Sequence, residues 1–208
     1  MRKKGKDIFS GYLGRNGLNL WFALFFLVLG ISIGAFTEKM MGTSQKSELL
    51  TFVNTYFNVM HLDSLPKSEI FLKSLINNFK LLIIIFLSGS AVIGFPIAIG
   101  ALTFRGITIG FAAAFFMEEM KMKGLMLSIF SILPQNLVFL PAYVIAAAVS
   151  IGFSWSILYK KGHSQNKGYM QYFLPYVSIF TVLAGVFIVG CIIESYICPI
   201  LIKMIVAI

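Results

Sequence analysis

The side chains that most often do chemistry in enzymes are scarce and far apart in this chain. It contains two histidines, His61 and His163, and the topology argued below places them on opposite faces of a membrane. A zinc site or a Ser-His-acid grouping needs its members in one compartment, so neither is expected. No glycine-rich phosphate loop follows a strand. We therefore predict no catalytic residue, no metal site, no cofactor and no nucleic-acid partner.

Charged residues inside or beside the apolar runs are the next candidates, because charge in lipid is costly and implies a role or a partner. They are Arg105, Glu118, Glu119 and Glu194. Two interpretations of Glu194 stay open. With broken helices near Pro96 and Pro134 it could form the ion or proton site of a transporter. Alternatively, its carboxylate reaches the hydrated headgroups outside.

Polar and helix-breaking residues form a third group, which we assign to buried polar or structural roles. An amide can satisfy the backbone groups that a helix break frees, which we favour over ligand binding. Cys191 and Cys198 are separated by two helical turns, too far for a disulfide within that helix, so we expect them to pack. The buried polar or structural candidates are Asn77, Asn78, Arg105, Pro134, Gln135, Asn136 and Glu194.

The elements that must position these groups are membrane helices. Of the 208 residues, 58% are apolar and 12% are charged, about half the charge of a soluble domain. The mean hydropathy is +0.88, which excludes a soluble enzyme. We predict an all-α polytopic membrane protein with about five transmembrane helices, broken or re-entrant segments and an outer amphipathic helical loop.

The third span has two possible positions in the sequence. Either the second span ends near Pro96 and the third contains Arg105, or Arg105 marks a tight cytoplasmic turn, which we favour. Leu125–Leu133 is a short apolar segment, re-entrant in one interpretation. The expected segments are a basic N-terminus (1–17), span 1 (18–36), an outer helical loop (37–80), span 2 (81–104), a short or broken span 3 (106–117), an outer connector (118–136), span 4 (137–158), a cytoplasmic loop (159–172), span 5 (173–202) and the C-terminus (203–208).

The distribution of basic residues predicts the orientation of the chain. Lysine and arginine are densest in segments 1–17 and 159–172, and such residues accumulate in short cytoplasmic segments. The N-terminus should therefore be cytoplasmic, with the 37–80 loop and the C-terminus outside.

The outer loop carries an apolar stripe at helical spacing, which predicts an amphipathic helix. A second stripe, formed by Leu72, Leu75, Ile76 and Phe79, leads into span 2. Such helices lie in the membrane interface or cap a bundle and present a surface to partners. The candidate partner-binding residues of the first stripe are Leu49, Phe52, Val53, Tyr56 and Met60.

Small residues one turn apart let helices approach closely in lipid. We favour packing within one subunit over self-association or docking onto a partner's helix. The candidate packing residues are Gly30 and Gly34, Gly106 and Gly110, and the series Ser90, Gly94 and Ala98.

Three motifs carry a resemblance to a known family. They are FLKSLINN at 71–78, RGITIG at 105–110 and LPQNLVFLPA at 133–142. In this order, with the basic N-terminus and five spans, the chain resembles the stage II sporulation protein M family. Wider relatives carry His-Gly and a Glu in place of Gln135-Asn136 and Phe139, so the sporulation branch is the closer match.

The resemblance implies a non-catalytic scaffold in the mother-cell membrane at the sporulation septum, active in engulfment of the forespore. It also implies partners, the stage II sporulation proteins D and P, which are membrane-anchored peptidoglycan hydrolases. The alternative is a small permease or transporter subunit, motivated by Arg105, Glu194 and the broken helices. An intramembrane protease lacks its paired catalytic groups.

The expected orientation can be tested by cysteine labelling in intact cells, after replacement of Cys191 and Cys198. A cysteine at Ser47 should react with a membrane-impermeant maleimide, because the loop is expected outside. A cysteine at Ser164 should react only after permeabilisation. The reverse pattern would invert the topology.

Overall fold

The structure is a computed structural model that describes residues 17–61, 67–91, 94–160 and 170–206. These ranges are almost entirely helical, and two π-helical turns, Ser128–Ile132 and Ile193–Ile197, continue α-helices. The α-helices are α1 (Gly17–Lys39), α2 (Thr43–His61), α3 (Lys67–Ser90), α4 (Phe95–Leu127), α5 (Leu133–Lys160), α6 (Met170–Ile192) and α7 (Cys198–Val206).

Five helical stretches are long and apolar enough to cross a membrane, which confirms the predicted fold class. Helices suit this environment because all their backbone hydrogen bonds are internal. The spans are Gly17–Lys39, Ser68–Ser90, Phe95–Met122, Gly124–Leu158 and Phe173–Ile202.

The fourth span is the centre of the bundle. Of its most apolar window 72% is buried, against 22% to 39% in the other spans. Small residues such as Ala146, Ala147 and Ser150 are fully buried on α5 and let α3 and α6 approach closely. Large rings fill the remaining space, with the Phe153 and Tyr176 centroids stacked 4.3 Å apart. The fourth span therefore forms the central surface against which the neighbouring helices pack.

Helices α1 and α4 have the most extensive contact in the described bundle, and glycines make it possible. A Cβ added at Gly30 or Gly34 would overlap the carbonyl of Thr103 or Ile107. On the opposite helix, a Cβ at Gly106 would lie 2.6 Å from the Leu27 carbonyl oxygen. The two small-residue motifs thus face each other within one chain.

The turn expected at Arg105 is wrong, because α4 continues through this residue as a regular helix. The break lies earlier, between Ser90 and Phe95, where Gly94 approaches the Ser88 carbonyl too closely for any side chain. Pro96 occupies the first turn of α4, a position that does not need its missing N–H. Span 3 therefore begins near Pro96 and contains Arg105, which is the other of the two positions that the sequence allows.

This break also corrects two other expectations. The second span covers Ser68–Ser90 rather than 81–104, so the stripe containing Leu72 and Phe79 belongs to the span and not to an interfacial helix. Ser90, Gly94 and Ala98 do not lie on one helix, because α3 ends at Ser90 and α4 begins at Phe95.

The expected outer connector 118–136 is mostly helical membrane span. The chain reverses at Lys121, whose φ of 48° and ψ of −122° are non-helical. From Gly124 it runs as one span to Leu158, so Leu125–Leu133 is the first part of that span and not a re-entrant segment.

The π-helical turns explain how two prolines are tolerated without ending a helix. A proline ring meets the carbonyl four residues earlier in an α-helix. For Pro134 and Pro199 that carbonyl belongs to Phe130 and Ser195, and both lie within the π-helical turns. The wider turn relieves this contact, so each helix continues past its proline.

The glycine interface predicts unequal effects of alanine on stability. Gly110→Ala should lower the free energy of unfolding by about 1–3 kcal/mol, because the added methyl overlaps the Ile31 carbonyl. Gly185→Ala, where an added Cβ meets nothing within 4 Å, is the matched control and should be neutral. Thermal unfolding in detergent measures both, and equal midpoints would contradict the assigned interface.

Candidate functional site

A chain of buried polar groups crosses the bundle at membrane depth and begins at Glu194. This residue lies in the second π-helical turn and is half-buried. Its carboxylate accepts a hydrogen bond from the Ser74 hydroxyl of α3. The Asn78 side-chain nitrogen lies 3.4 Å from the same oxygen, Oε2. Glu194 therefore points at α3, an arrangement different from the headgroup contact considered above.

Asn78 continues this chain to the central helix. Its Nδ2 donates to the Ser74 backbone carbonyl at 2.9 Å, and its Oδ1 accepts from the Tyr143 hydroxyl at 3.0 Å. Asn78 and Tyr143 are both buried. We call Glu194, Ser74, Asn78 and Tyr143 the polar chain. It joins the fifth span, α3 and α5, and it satisfies polar groups that lipid would leave without partners.

Arg105 packs against the Tyr143 ring, and no carboxylate of the described residues lies within 4.0 Å of it. Its guanidinium carbon is 5.5 Å from the Tyr143 ring centre and 5.7 Å from that of Phe139. One terminal nitrogen donates to Asn136 Oδ1 at 3.3 Å. Aromatic faces attract such a cation and bury its flat surface. An arginine can therefore remain inside a helix that spans the membrane.

The remaining predicted polar positions have different environments. Asn136 is buried and donates to the Ile132 carbonyl at 2.8 Å, within the first π-helical turn. Gln135 is half-buried, and its Oε1 has no hydrogen-bond partner among the described residues. Asn77 is exposed. Neighbouring amides thus differ in role because successive helical residues face different directions.

Sequence reasoning missed Ser74 and Tyr143 as members of the polar chain. A single serine or tyrosine within an apolar run does not by itself indicate that its side chain takes part in a buried hydrogen-bond network. The four-residue spacing of Ser74 and Asn78, which places both on one helix face, was the available indication.

A second cluster of charge holds α2 at the end of the bundle. The Lys46 Nζ lies 2.6 Å from Glu38, 2.9 Å from Glu118 and 4.0 Å from Glu119, measured to Oε1 in each case. We call these four residues the Lys46 cluster. Hydrogen bonding to Glu38 and then to Glu118 raises the pKa of Lys46 above its ordinary value. Glu38 is fully buried, so the lysine compensates a carboxylate that water cannot reach.

Beyond Lys46, α2 makes only isolated contacts with other described elements. Phe52 has 72% of its surface exposed, while Leu49 and Val53 are half-buried. The side chains of Tyr56, Met60 and His61, and all of His163 and Ser164, lie outside the described residues. Helix α2 is therefore held near its first turn by the ion pairs of Lys46, and it exposes the aromatic ring of Phe52.

The fold and its polar interior define a multispan, all-helical membrane protein. The family model for stage II sporulation protein M matches residues 23–199, which is most of the chain and includes all three motifs. The chain belongs to the stage II sporulation protein M family and is a membrane protein related to sporulation. No curated protein and no solved structure matches it.

The polar chain predicts different consequences for two adjacent asparagines. Asn78→Ala should lower the free energy of unfolding by roughly 1–3 kcal/mol, because Tyr143, Ser74 and Glu194 lose a buried partner. Asn77→Ala, at an exposed position, should be nearly neutral. Unfolding in detergent monitored by tyrosine fluorescence measures both, and a larger loss for Asn77→Ala would refute the assignment.

Proposed function

We propose that this protein is a non-catalytic membrane scaffold that retains peptidoglycan hydrolases at the sporulation septum during engulfment. The proposed partners are the stage II sporulation proteins D and P. Membership of the stage II sporulation protein M family supports a role in sporulation, and the partners follow from the resemblance. The proposed location is the mother-cell membrane at the septum, with a cytoplasmic N-terminus.

The observation that carries the proposal is the position of α2. A soluble or membrane-anchored partner can contact this helix without entering the bundle, because α2 has few contacts with other elements. Phe52 is an exposed aromatic anchor, and aromatic residues dominate binding energies at protein interfaces. With the proposed orientation, α2 lies on the side where peptidoglycan hydrolases act.

The Lys46 cluster supplies the rigidity that a docking helix needs. It ties the first turns of α2 to the ends of the first and third spans through Glu38 and Glu118. A helix whose position is already fixed loses less conformational freedom when a partner binds. A smaller entropic cost is then subtracted from the interaction free energy, so the affinity for the partner is higher.

Replacement of the aromatic residues of α2 tests this role. Phe52→Ala combined with Tyr56→Ala should leave the protein abundant and membrane-inserted but unable to retain the hydrolases. Each truncation costs about 2 kcal/mol at the centre of an interface, so the pair weakens association roughly a thousandfold if additive. Co-purification of the hydrolases from detergent extracts of sporulating cells measures retention.

The matched control is Thr51→Ala combined with Thr55→Ala, which changes exposed polar residues of the same helix. This pair should retain the hydrolases as the unmodified protein does. Normal retention by the aromatic double variant would exclude the apolar stripe of α2 as the main binding surface for the hydrolases. Loss of protein abundance in that variant would assign the stripe to folding.

The second candidate function is that of a small permease or transporter subunit. The polar chain favours it, because Glu194 is a carboxylate at membrane depth and ionisable groups there often serve ion or proton movement. The scaffold remains the better-supported proposal, since Glu194 contacts Ser74 and Asn78, which hold it in a structural hydrogen-bond network. Retention of hydrolases by Glu194→Gln separates the two functions.

A further inference from the structure

A groove runs between α3 and α4 on the side of the bundle that faces lipid. It has a volume of about 700 Å³, and Tyr143 of α5 also lines it. Ile84, Ile97 and Phe104 border it and are exposed. We call it the α3–α4 groove. A neighbouring membrane helix can reach it from the side, without entering the bundle.

Two cations line the α3–α4 groove at the same depth in the membrane. Lys80 lies ten residues before the end of α3 at Ser90, and Arg105 lies ten residues after the start of α4 at Phe95. A short link joins these two helix ends, so each cation lies about 15 Å along its helix from the link. That distance is half of a hydrocarbon core of about 30 Å. Lys80 and Arg105 are therefore level with each other and near the middle of the membrane.

Neither cation has a counter-charge within the described part of the chain. The ion pairs found there all involve Lys46, and none of the described residues that line the groove is acidic. Lys80 is exposed, and the buried Nε of Arg105 has no hydrogen-bond partner among the described residues. Cations at this depth are costly unless they are paired. A carboxylate at the same depth would lower that cost.

A membrane helix is the element that can carry a carboxylate to this depth. Its backbone hydrogen bonds are internal, so it crosses hydrocarbon with a side chain at any level. A phospholipid phosphate stays at the membrane surface, about 15 Å from the middle of the membrane. A free anion would lose its hydration in hydrocarbon. The depth of the two cations therefore favours an acidic side chain of a second helix over a lipid headgroup or a dissolved ion.

The rest of the groove has the surface that a membrane helix contacts. Gly100 is exposed, and a Cβ added there meets nothing within 4 Å. This glycine is thus not required for packing within the chain, in contrast to the glycines between α1 and α4. Small residues on a membrane helix let another helix approach closely. The lining between the cations and the link is apolar apart from Gly100, and consists of Leu81, Ile84, Ile97, Gly100, Ala101 and Phe104.

We propose that the α3–α4 groove binds a partner's membrane helix that carries an acidic residue near the middle of its span. The carboxylate accepts a charge-assisted hydrogen bond from Lys80, and Arg105 adds a second positive charge beside it. The apolar part of the same helix packs along Ile97 and Gly100. This site is separate from α2, so it does not depend on the proposed retention of hydrolases.

Designed single-span peptides of leucine and alanine test the proposal with the full-length protein in phosphatidylcholine vesicles. Their central residue is aspartate or asparagine, and it has the same depth in either orientation of the peptide. Energy transfer between dyes on the protein and the peptide measures binding. The aspartate peptide should bind at least about tenfold more tightly than the asparagine peptide, which keeps hydrogen-bonding groups but lacks the charge.

A third peptide tests the depth of the site. Its aspartate lies one turn from the end of the span, where water reaches the carboxylate and Lys80 is not level with it. This peptide should bind as weakly as the asparagine peptide. Binding as tight as that of the central aspartate peptide would contradict a site at mid-membrane.

Two variants of the groove have matched controls. Lys80→Gln should remove most of the preference for aspartate, whereas Lys73→Gln, at an exposed lysine of the same helix outside the groove, should keep it. Gly100→Leu should weaken binding of the aspartate peptide about tenfold by blocking close approach. Gly185→Leu adds the same bulk at an open position of α6 and should have no effect. The two lysine variants decide the proposal even if Gly100→Leu lowers stability.

The same assay distinguishes other sources of the counter-charge. Equal affinity for the central aspartate and asparagine peptides, or equal losses in Lys80→Gln and Lys73→Gln, would overturn the site. Phosphatidylglycerol in the vesicles that abolishes binding of the aspartate peptide would assign the counter-charge to a lipid. A peptide-free dimer that Lys80→Gln dissociates would assign it to a second copy of this chain. Either of these results would also overturn the proposal.

Discussion

Hydrocarbon offers no hydrogen-bond partner, and this constraint explains most of the interior of the bundle. Backbone groups are satisfied by continuous helices, which persist even at Pro134 and Pro199 because π-helical turns precede these residues. Side chains follow the same rule: Asn78 bonds to α3, to Tyr143 of α5 and to Glu194. The polar chain therefore holds together helices that have no hydrophobic effect to drive them together in lipid.

Close helix approach is the second source of cohesion. Gly34 and Gly110 bring the backbones of α1 and α4 together, which increases dispersion contact where no water is available to be released. The fourth span then packs against both helices and against α3 and α6. Arg105 can lie inside this bundle because its guanidinium packs over the Phe139 and Tyr143 rings.

Charge is compensated in different ways at one end of the bundle and in its interior. At one end, Lys46 neutralises part of a group of three glutamates and positions α2. In the interior, Arg105 has no carboxylate within 4.0 Å among the described residues, and its guanidinium packs against the Phe139 and Tyr143 rings. The first arrangement joins α2 to the first and third spans through ion pairs, whereas the second shields a cation with aromatic rings.

The sequence alone determined the class of the protein: composition and run length required about five membrane helices, and three motifs indicated the family. It also identified Asn78, Arg105 and Glu194 as unusual polar residues in apolar surroundings. It did not reveal that Arg105 lies inside a helix, because hydropathy registers a charge but not the aromatic rings that bury it. Nor could it pair Lys46 with Glu118, since these residues meet only because α2 lies beside the end of the third span. Partners distant in the chain were decided by tertiary packing, because local patterns specify which face of a helix is polar but not which helix it meets.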